Sequence, residues 1–259
     1  MFVEERQEMI LDLLRENGSV RVKALSEKFG VTPDLIRKDL TTMEEKGLLK
    51  KAYGGAVLER VNIHREIVSQ RKDVNTKQKV KIARLAFSLI KDGDVVFLDI
   101  STNSIEVAVL LQHASKQVSV VTNMIDVMMI LAKSQTIKII FIGGALDYGR
   151  DGFVGSVAIQ SIQRYRFDIA FVGVVGVDVI EDNVFTYMDN DGITKKAILA
   201  GTKSAYMLCE SAKFMQSGNY RYAAVSEFTG IITDRKPTKE IMQSVNEYEL
   251  KLMYPENIR

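Results

Sequence analysis

Apolar positions follow two different rhythms along this chain, and the change of rhythm divides it. Near the N-terminus they recur every three to four residues, the spacing of amphipathic helices. Met9, Ile10, Leu13 and Leu14 predict a helix over residues 3–17, stopped by Asn17-Gly18. Leu25 and Phe29, four apart, predict a second over residues 22–29, and Gly30 then supplies the left-handed geometry of a tight turn. Val31 is expected to pack back into the core. A third helix is predicted over residues 33–46, with Leu35, Ile36, Leu40 and Met43 turned inward. Thr32 suits its N-cap, Pro33 its first position and Asp34 the positive end of its dipole. After Gly47, residues 48–57 (LLKKAYGGAV) read as a strand, a glycine-rich bend and a return strand.

From about residue 77 helical segments alternate with continuous apolar runs. Helices are expected at 77–90 (Val80, Ala83, Phe87 and Ile90 on one side), 104–111, 124–132, 155–164 and 194–200. Strands are expected at 95–99, 118–122, 137–142, 168–172, 205–209 and 230–233. Such alternation, with uninterrupted β-branched runs, predicts a parallel sheet covered on both faces. The expected architecture is a small α+β winged helix-turn-helix domain (residues 1–58), a basic linker (59–76) and a larger α/β domain with a mostly parallel sheet (77–259).

Helix, turn, helix and wing is the order of a module that places one helix in the major groove of DNA. Arg37 and Lys38 are expected to point outward from the third helix, with Thr41 one turn further on. An arginine there can pair with a guanine edge, worth roughly 1–3 kcal/mol of discrimination. Lys51 and Tyr53 on the wing suit phosphate contact, and Arg21, Thr32, Pro33 and Asp34 complete the candidate DNA-binding set. A small helical domain with a solvated charged face would show a similar pattern.

Charge supports the first of these locally. The whole chain carries a formal net charge of only +2, so any affinity for a polyanion has to be local. Residues 18–57 hold eight Lys/Arg against five Asp/Glu, and residues 60–91 nine against two, the excess expected beside DNA.

Other classes are disfavoured. The single cysteine, Cys209, forbids an intrachain disulfide and fits a reducing, cytoplasmic setting. His64 and His113 are the only histidines, and neither stands in a cluster with Cys or carboxylates, so no metal or other cofactor is expected. No apolar run approaches the roughly 20 residues of a membrane span, and no nucleotide-binding glycine motif is present.

In open parallel sheets ligands bind beyond the carboxyl ends of the strands. Here those ends are polar or glycine-rich: Asp99-Ile100-Ser101-Thr102-Asn103, Thr122-Asn123, Gly143-Gly144 and residues 173–178 (GVVGVD). Hydroxyl residues at helix N-termini supply N–H groups and a favourable dipole for an anion, phosphate above all. Each loop taken singly reads equally as ordinary helix capping.

Residues 31–40 (VTPDLIRKDL), Gly47-Leu48 and Gly54-Gly55-Ala56 closely resemble the amino-terminal signature of the DeoR family of bacterial transcription regulators, V-S-x-x-T-I-R-R-D-L…L-E-x-x-G…R-x-x-G-G-A. Thr32 replaces its serine, and Leu35 a threonine that commonly faces DNA. The strand-end motifs, with residues 210–214 (ESAKF) and Ile232-Thr233-Asp234, follow the landmarks of the DeoR sensor domain in order. That domain is similar to ribose-5-phosphate isomerase and glucosamine-6-phosphate deaminase and typically binds a phosphorylated sugar. The family's D-x-G-[ST]-[ST] reads D-I-S-T-N here, with Ser101 in the glycine position and Asn103 in a hydroxyl position. Val175 occupies a position often held by Asp, and Glu210 one where Asp is usual.

The resemblance implies a repressor of carbohydrate-metabolism genes, a homodimer or homotetramer on double-stranded operator DNA, released by a phosphorylated sugar. The candidate effector residues are Asp99, Ser101, Thr102, Asn103, Thr122, Asn123, Gly143, Gly144 and Lys213. Two alternatives stand. One is a sugar-phosphate isomerase or deaminase with an attached nucleic-acid module, drawing on Asp99, Asp178, Asp189, Asp191, Lys195, Lys196 or Lys213 for proton transfer. The other is a constitutive architectural DNA-binding protein.

Overall fold

The computed structural model describes residues 3–17, 19–45, 48–52, 54–57, 72, 74–147, 149 and 151–257. The chain forms two compact units, residues 1–63 and 64–259.

In the first unit, α1 (Val3–Asn17), β1 (Ser19–Arg21), α2 (Val22–Phe29), α3 (Pro33–Glu45), β2 (Lys50–Ala52) and β3 (Gly55–Val57) enclose one small core. Ile10, Leu14, Leu25, Ile36, Leu40, Met43 and Leu49 fill it, with Phe29 and Val31 packed at its margin. Removing such side chains from water stabilises the unit by roughly 1.5–3 kcal/mol each. One inward position expected from spacing is wrong: Leu35 is 36 % exposed. The buried stripe of α3 is Ile36, Asp39, Leu40 and Met43, because Asp39 is drawn inward by Arg6 of α1. Periodicity of apolar residues cannot register a charged residue that takes a core position.

The strand and return strand expected over residues 48–57 are β2 and β3. They are joined by a strand that the sequence pattern missed, β1: β3 lies between β1 and β2, antiparallel to both. Gly55 permits this: a Cβ there would stand 1.9 Å from the Val20 carbonyl oxygen.

The second unit is a three-layer α/β structure. Its seven-stranded sheet consists of β4 (Val95–Leu98), β5 (Ser119–Thr122), β6 (Lys138–Phe141), β9 (Phe167–Gly173), β12 (Thr202–Leu208), β14 (Gly230–Ile232) and β15 (Lys251–Met253). The order is β15-β14-β12-β9-β4-β5-β6, with every neighbouring pair parallel. One apolar cluster covers each face, the first built on Phe97, Phe167 and Val172, the second on Val96, Leu98 and Phe171. Helices α4 (Thr76–Leu89), α5 (Thr102–Gln112), α6 (Ile125–Leu131), α7 (Ser156–Ile162), α8 (Asp189–Ala200) and α9 (Lys239–Glu247) accompany the strands. On α4 the buried stripe is Ile82, Ala83, Leu85 and Ala86, with Lys79. Of the expected face, Ala83 and Ile90 are buried, Phe87 packs partly buried against the same cluster, and Val80 is half-buried.

Two smaller sheets complete the unit. The hairpin β7 (Ala145–Leu146) and β8 (Phe153–Val154) follows β6. β10 (Gly176–Asp178), β11 (Asn183–Thr186) and β13 (Tyr220–Ala223) form an antiparallel sheet. None of these five was expected, since they are short and half-buried without a continuous apolar run. Residues 59–71 and 73 of the expected basic linker lie outside the described residues. At its end, Lys72 pairs with Asp126 at 2.7 Å, within the second unit.

Candidate functional site

The helical module presents α3 and β2 as one polar surface. Thr32 caps α3, accepting a hydrogen bond from Leu35 N at 3.3 Å. Pro33, Asp34, Arg37 and Lys38 are exposed along its first turns, and Arg21 is exposed on β1. The Arg37 guanidinium is hydrogen-bonded to the Asp34 carboxylate one turn earlier. Thr41 donates to the Arg37 carbonyl at 2.8 Å and accepts from Lys51 Nζ at 3.0 Å. Arg37, Thr41 and Lys51 therefore form a continuous chain from helix to wing. Tyr53 lies outside the described residues.

Beneath that surface is a pair that sequence reasoning missed. Arg6 Nε and Nη2 reach Asp39 Oδ2 and Oδ1 at 2.6 and 3.2 Å, both side chains being buried. The Asp39 hydrogen bond raises the Arg6 pKa against the opposing effect of burial. A two-pronged pair between α1 and α3 fixes the rotation of α3 and hence which residues face outward. Its signal was present as Arg6 at helical spacing from Ile10 and as the aspartate inside an otherwise apolar stripe.

In the larger unit the sheet order reverses between β4 and β9. The chain runs outward from β4 through β5 and β6, then returns to β9 on the other side and continues to β15. Such a switch point opens a crevice beyond the strand ends. Asp99, immediately after β4, spans it: Oδ2 accepts from Gly173 N at 2.9 Å and Oδ1 from Ser104 Oγ at 3.0 Å. Lys195 Nζ, from α8, also donates to Asp99 Oδ2 at 2.7 Å and lies 3.2 Å from Asp191 Oδ1. Thr186 Oγ1 donates to Asp191 Oδ2 at 2.6 Å. Burial works to lower the Lys195 pKa, but Asp191 and Asp99 outweigh it and hold the ammonium above its ordinary range. Burial raises the neighbouring Tyr222 phenol, whose hydroxyl has no hydrogen-bond partner.

Ser101 is the N-cap of α5, its Oγ accepting from Ser104 N at 3.1 Å. Thr102 is half-buried beside it. The first N–H groups of α5 have no intrahelical carbonyl to bond, so this turn offers donors to an anion. Asn103 is buried, with Oδ1 unpartnered. Thr122 is buried and occupied locally, donating to Leu98 O at 2.7 Å and accepting from Met124 N at 3.1 Å. Asn123 anchors the β7–β8 hairpin: its Nδ2 donates to Phe153 O at 2.8 Å while its carbonyl accepts from Phe153 N at 2.9 Å. Its Oδ1 is likewise buried without a partner. Gly143 is exposed, and Gly144 packs against Val154 and Ala158 at the base of the hairpin.

Parallel pairing brings the ends of β4, β5 and β6 side by side, and with them Asp99, Thr122 and the Gly143-Gly144 turn. Lys213 stands further along the same edge, after β12, where Nζ donates to Val174 O at 2.9 Å and approaches Glu210 Oε1 at 3.5 Å. Asp99 and Lys213 thus both engage the end of β9, one at Gly173 and the other at Val174. Asp178 caps the turn after β10, and Lys196 is paired with Glu227. Neither joins the crevice residues. A cleft of about 330 Å³ between α7, α8 and β13 is lined by Ile193, Ala197 and Tyr220 and includes none of the strand-end residues.

Among the described residues no group of three or more His, Cys, Asp and Glu is arranged to hold a metal ion. Among them, too, no helix is long and apolar enough to cross a membrane.

Residues 6–61 match the DeoR-like helix-turn-helix domain, and residues 74–235 match the DeoR C-terminal sensor domain. The chain is 31 % identical over 257 residues to the HTH-type transcriptional repressor GlcR of Bacillus subtilis, covering 99 % of this chain and 98 % of that protein. It is 30 % identical over 253 residues to the lactose phosphotransferase system repressor of Lactococcus lactis, covering 95 % and 96 % respectively. Among solved structures, ribose 5-phosphate isomerase A of Methanocaldococcus jannaschii aligns with a TM-score of 0.40 at 17 % identity over 53 % of each chain. With both of its parts matched and full-length relatives at this identity, the chain belongs to the DeoR family of DNA-binding transcriptional regulators.

Proposed function

We propose that this protein is a repressor of carbohydrate-metabolism genes that grips double-stranded operator DNA through α3 and the wing and is released by a phosphorylated sugar. The observation that carries the effector half is the polar edge at the β4/β9 switch point, where α5 offers its N-terminal turn. A phosphate brings roughly −1.5 to −2 charges, matched by a helix N-terminus and a nearby ammonium. Ser101, Thr102 and Lys213 are the half-buried groups able to meet it, with Gly143-Gly144 closing the edge. The unpartnered Oδ1 atoms of Asn103 and Asn123 suit sugar hydroxyl donors. Asp99 and Thr122 act from beneath by fixing the loop ends. The relatives, themselves named repressors, favour regulation over catalysis. So does Lys195, which is buried and neutralised by two carboxylates rather than free to handle a substrate carbonyl.

The protein acts as a homodimer or homotetramer on a repeated or palindromic site, since one recognition helix reads too few base pairs for a genomic address. The ligand has to favour the arrangement that does not bind DNA, because equal affinity for both would shift nothing. Sequencing genomic fragments bound by the purified protein identifies the operator. Sugar phosphates titrated into that preformed complex are expected to dissociate it, with Thr102→Ala and Lys213→Ala weakening the response. No response to any sugar phosphate, or a parental response from both variants, contradicts the proposal.

A further inference from the structure

Glu44 lies in the last turn of α3, on the side that faces the wing. Its Oε1 accepts a hydrogen bond from the backbone N of Lys51 at 2.8 Å. β2 is the edge strand of the small sheet, with β3 on its inner side and Lys51 opposite Ala56. An edge strand presents N–H groups that the sheet does not use. Glu44 takes one of them, and so ties the wing strand to the recognition helix through main chain. A second tie lies one turn back, where Lys51 Nζ donates to Thr41 Oγ1 at 3.0 Å. One bond to the main chain and one to the side chain of the same residue set both the position and the direction of Lys51. An ammonium has three donors, so two remain for phosphate oxygens.

By charge alone, a carboxylate on this surface is a liability, because phosphates repel it. We propose that Glu44 is nonetheless a positioning residue for DNA binding. It holds β2 against α3 so that Lys51 and Arg37 meet the duplex as one preformed surface. This role rests on DNA binding through α3 and the wing.

Full-length protein and a mixed-sequence duplex of about 30 base pairs make the test, with affinity measured across a salt series. Glu44→Gln keeps an acceptor for Lys51 N and removes the charge, so it binds as tightly as the parent or up to about threefold tighter. Glu44→Ala removes both and binds roughly three- to tenfold more weakly despite its lower negative charge. Its salt slope falls by about 0.9, the loss of one phosphate contact, as for Lys51→Ala. Adding Lys51→Ala to Glu44→Ala then costs little more. Glu44→Asp keeps the charge but shortens the arm, and is expected to follow Ala. Because Glu44 is exposed, these variants fold.

Alanine and glutamine variants that both bind more tightly than the parent would show Glu44 to be only a repelling charge and overturn the proposal. A Glu44→Asp protein with parental affinity and slope overturns it as well. A parent that binds no duplex at any salt concentration removes DNA binding itself, which is a different failure from either.

Discussion

A Cβ added to Gly173 would fall 2.2 Å from the Cβ of Ser101, closer than two such carbons ever approach. Gly173 ends β9 and Ser101 follows β4, so the contact closes the switch point of the sheet. Ser101 stands where the family pattern has glycine, and this chain accommodates its side chain by having none at residue 173. In return the Ser101 hydroxyl caps α5.

That pairing predicts a suppressor. Gly173→Ala alone is expected to destabilise the larger unit by about 1–3 kcal/mol, as overpacking of a tight site does. Adding Ser101→Gly removes the clashing atoms and leaves Ser101 Cα at 3.6 Å. The double variant recovers most of the loss, because glycine at an N-cap costs only a few tenths of a kcal/mol relative to serine. Denaturant midpoints of the two single variants and the double variant decide it, and additive losses would contradict the contact.

Lys195→Met is expected to cost the larger unit about 3–5 kcal/mol, because it leaves Asp99 and Asp191 charged and without their cation. Since Lys195 is held above its ordinary pKa, its contribution is fully present below the unfolded-state value and lost only as pH rises through the higher folded-state value. Unfolding free energies at neutral pH measure the first effect. A midpoint within experimental scatter of the parent's would mean that the network carries no stability.

Arg37 and Lys51 are expected to fail differently when truncated. Arg37→Ala relaxes the preference at one operator position, at about 1–3 kcal/mol. Lys51→Ala weakens binding to all sequences and lowers the salt slope by about 0.9. Asp34→Ala frees the Arg37 guanidinium from its present partner and is expected to alter base preference without lowering overall affinity. Binding-site selection with each variant distinguishes these, and identical profiles from the Arg37 and Lys51 variants would rule out the division.

Cys209 is buried, and burial pushes its thiol from 9.0 up to about 12. The folded state therefore keeps its proton while the unfolded state loses it. Stability from this group is complete below the unfolded-state pKa and declines by up to ~1.4 kcal/mol per pH unit above it. Denaturation midpoints between pH 8 and 10, compared with Cys209→Ala, are expected to fall more steeply in the parent. In the native protein the thiol should also resist alkylation until denaturant is added.

Much of this molecule follows from local sequence. The helix starts at Thr32-Pro33-Asp34, the wing tip at Gly54-Gly55 and the parallel strands around Val95–Leu98 and Phe167–Gly173 rest on caps, turns and apolar runs, which are short-range properties. The polar strand ends could be named for the same reason. Tertiary structure alone decided what each polar residue does there. Asp99 and Lys195 are 96 positions apart, and Arg6 and Asp39 are 33 apart, so no spacing rule links them. The inward turn of Asp39 displaced Leu35 from the face that periodicity gave it. The hairpin on Asn123 and the sheet carrying Tyr222 escaped notice because short half-buried strands owe their form to distant partners. A charged side chain enters a core only where an opposite charge waits, and that meeting is made by the fold.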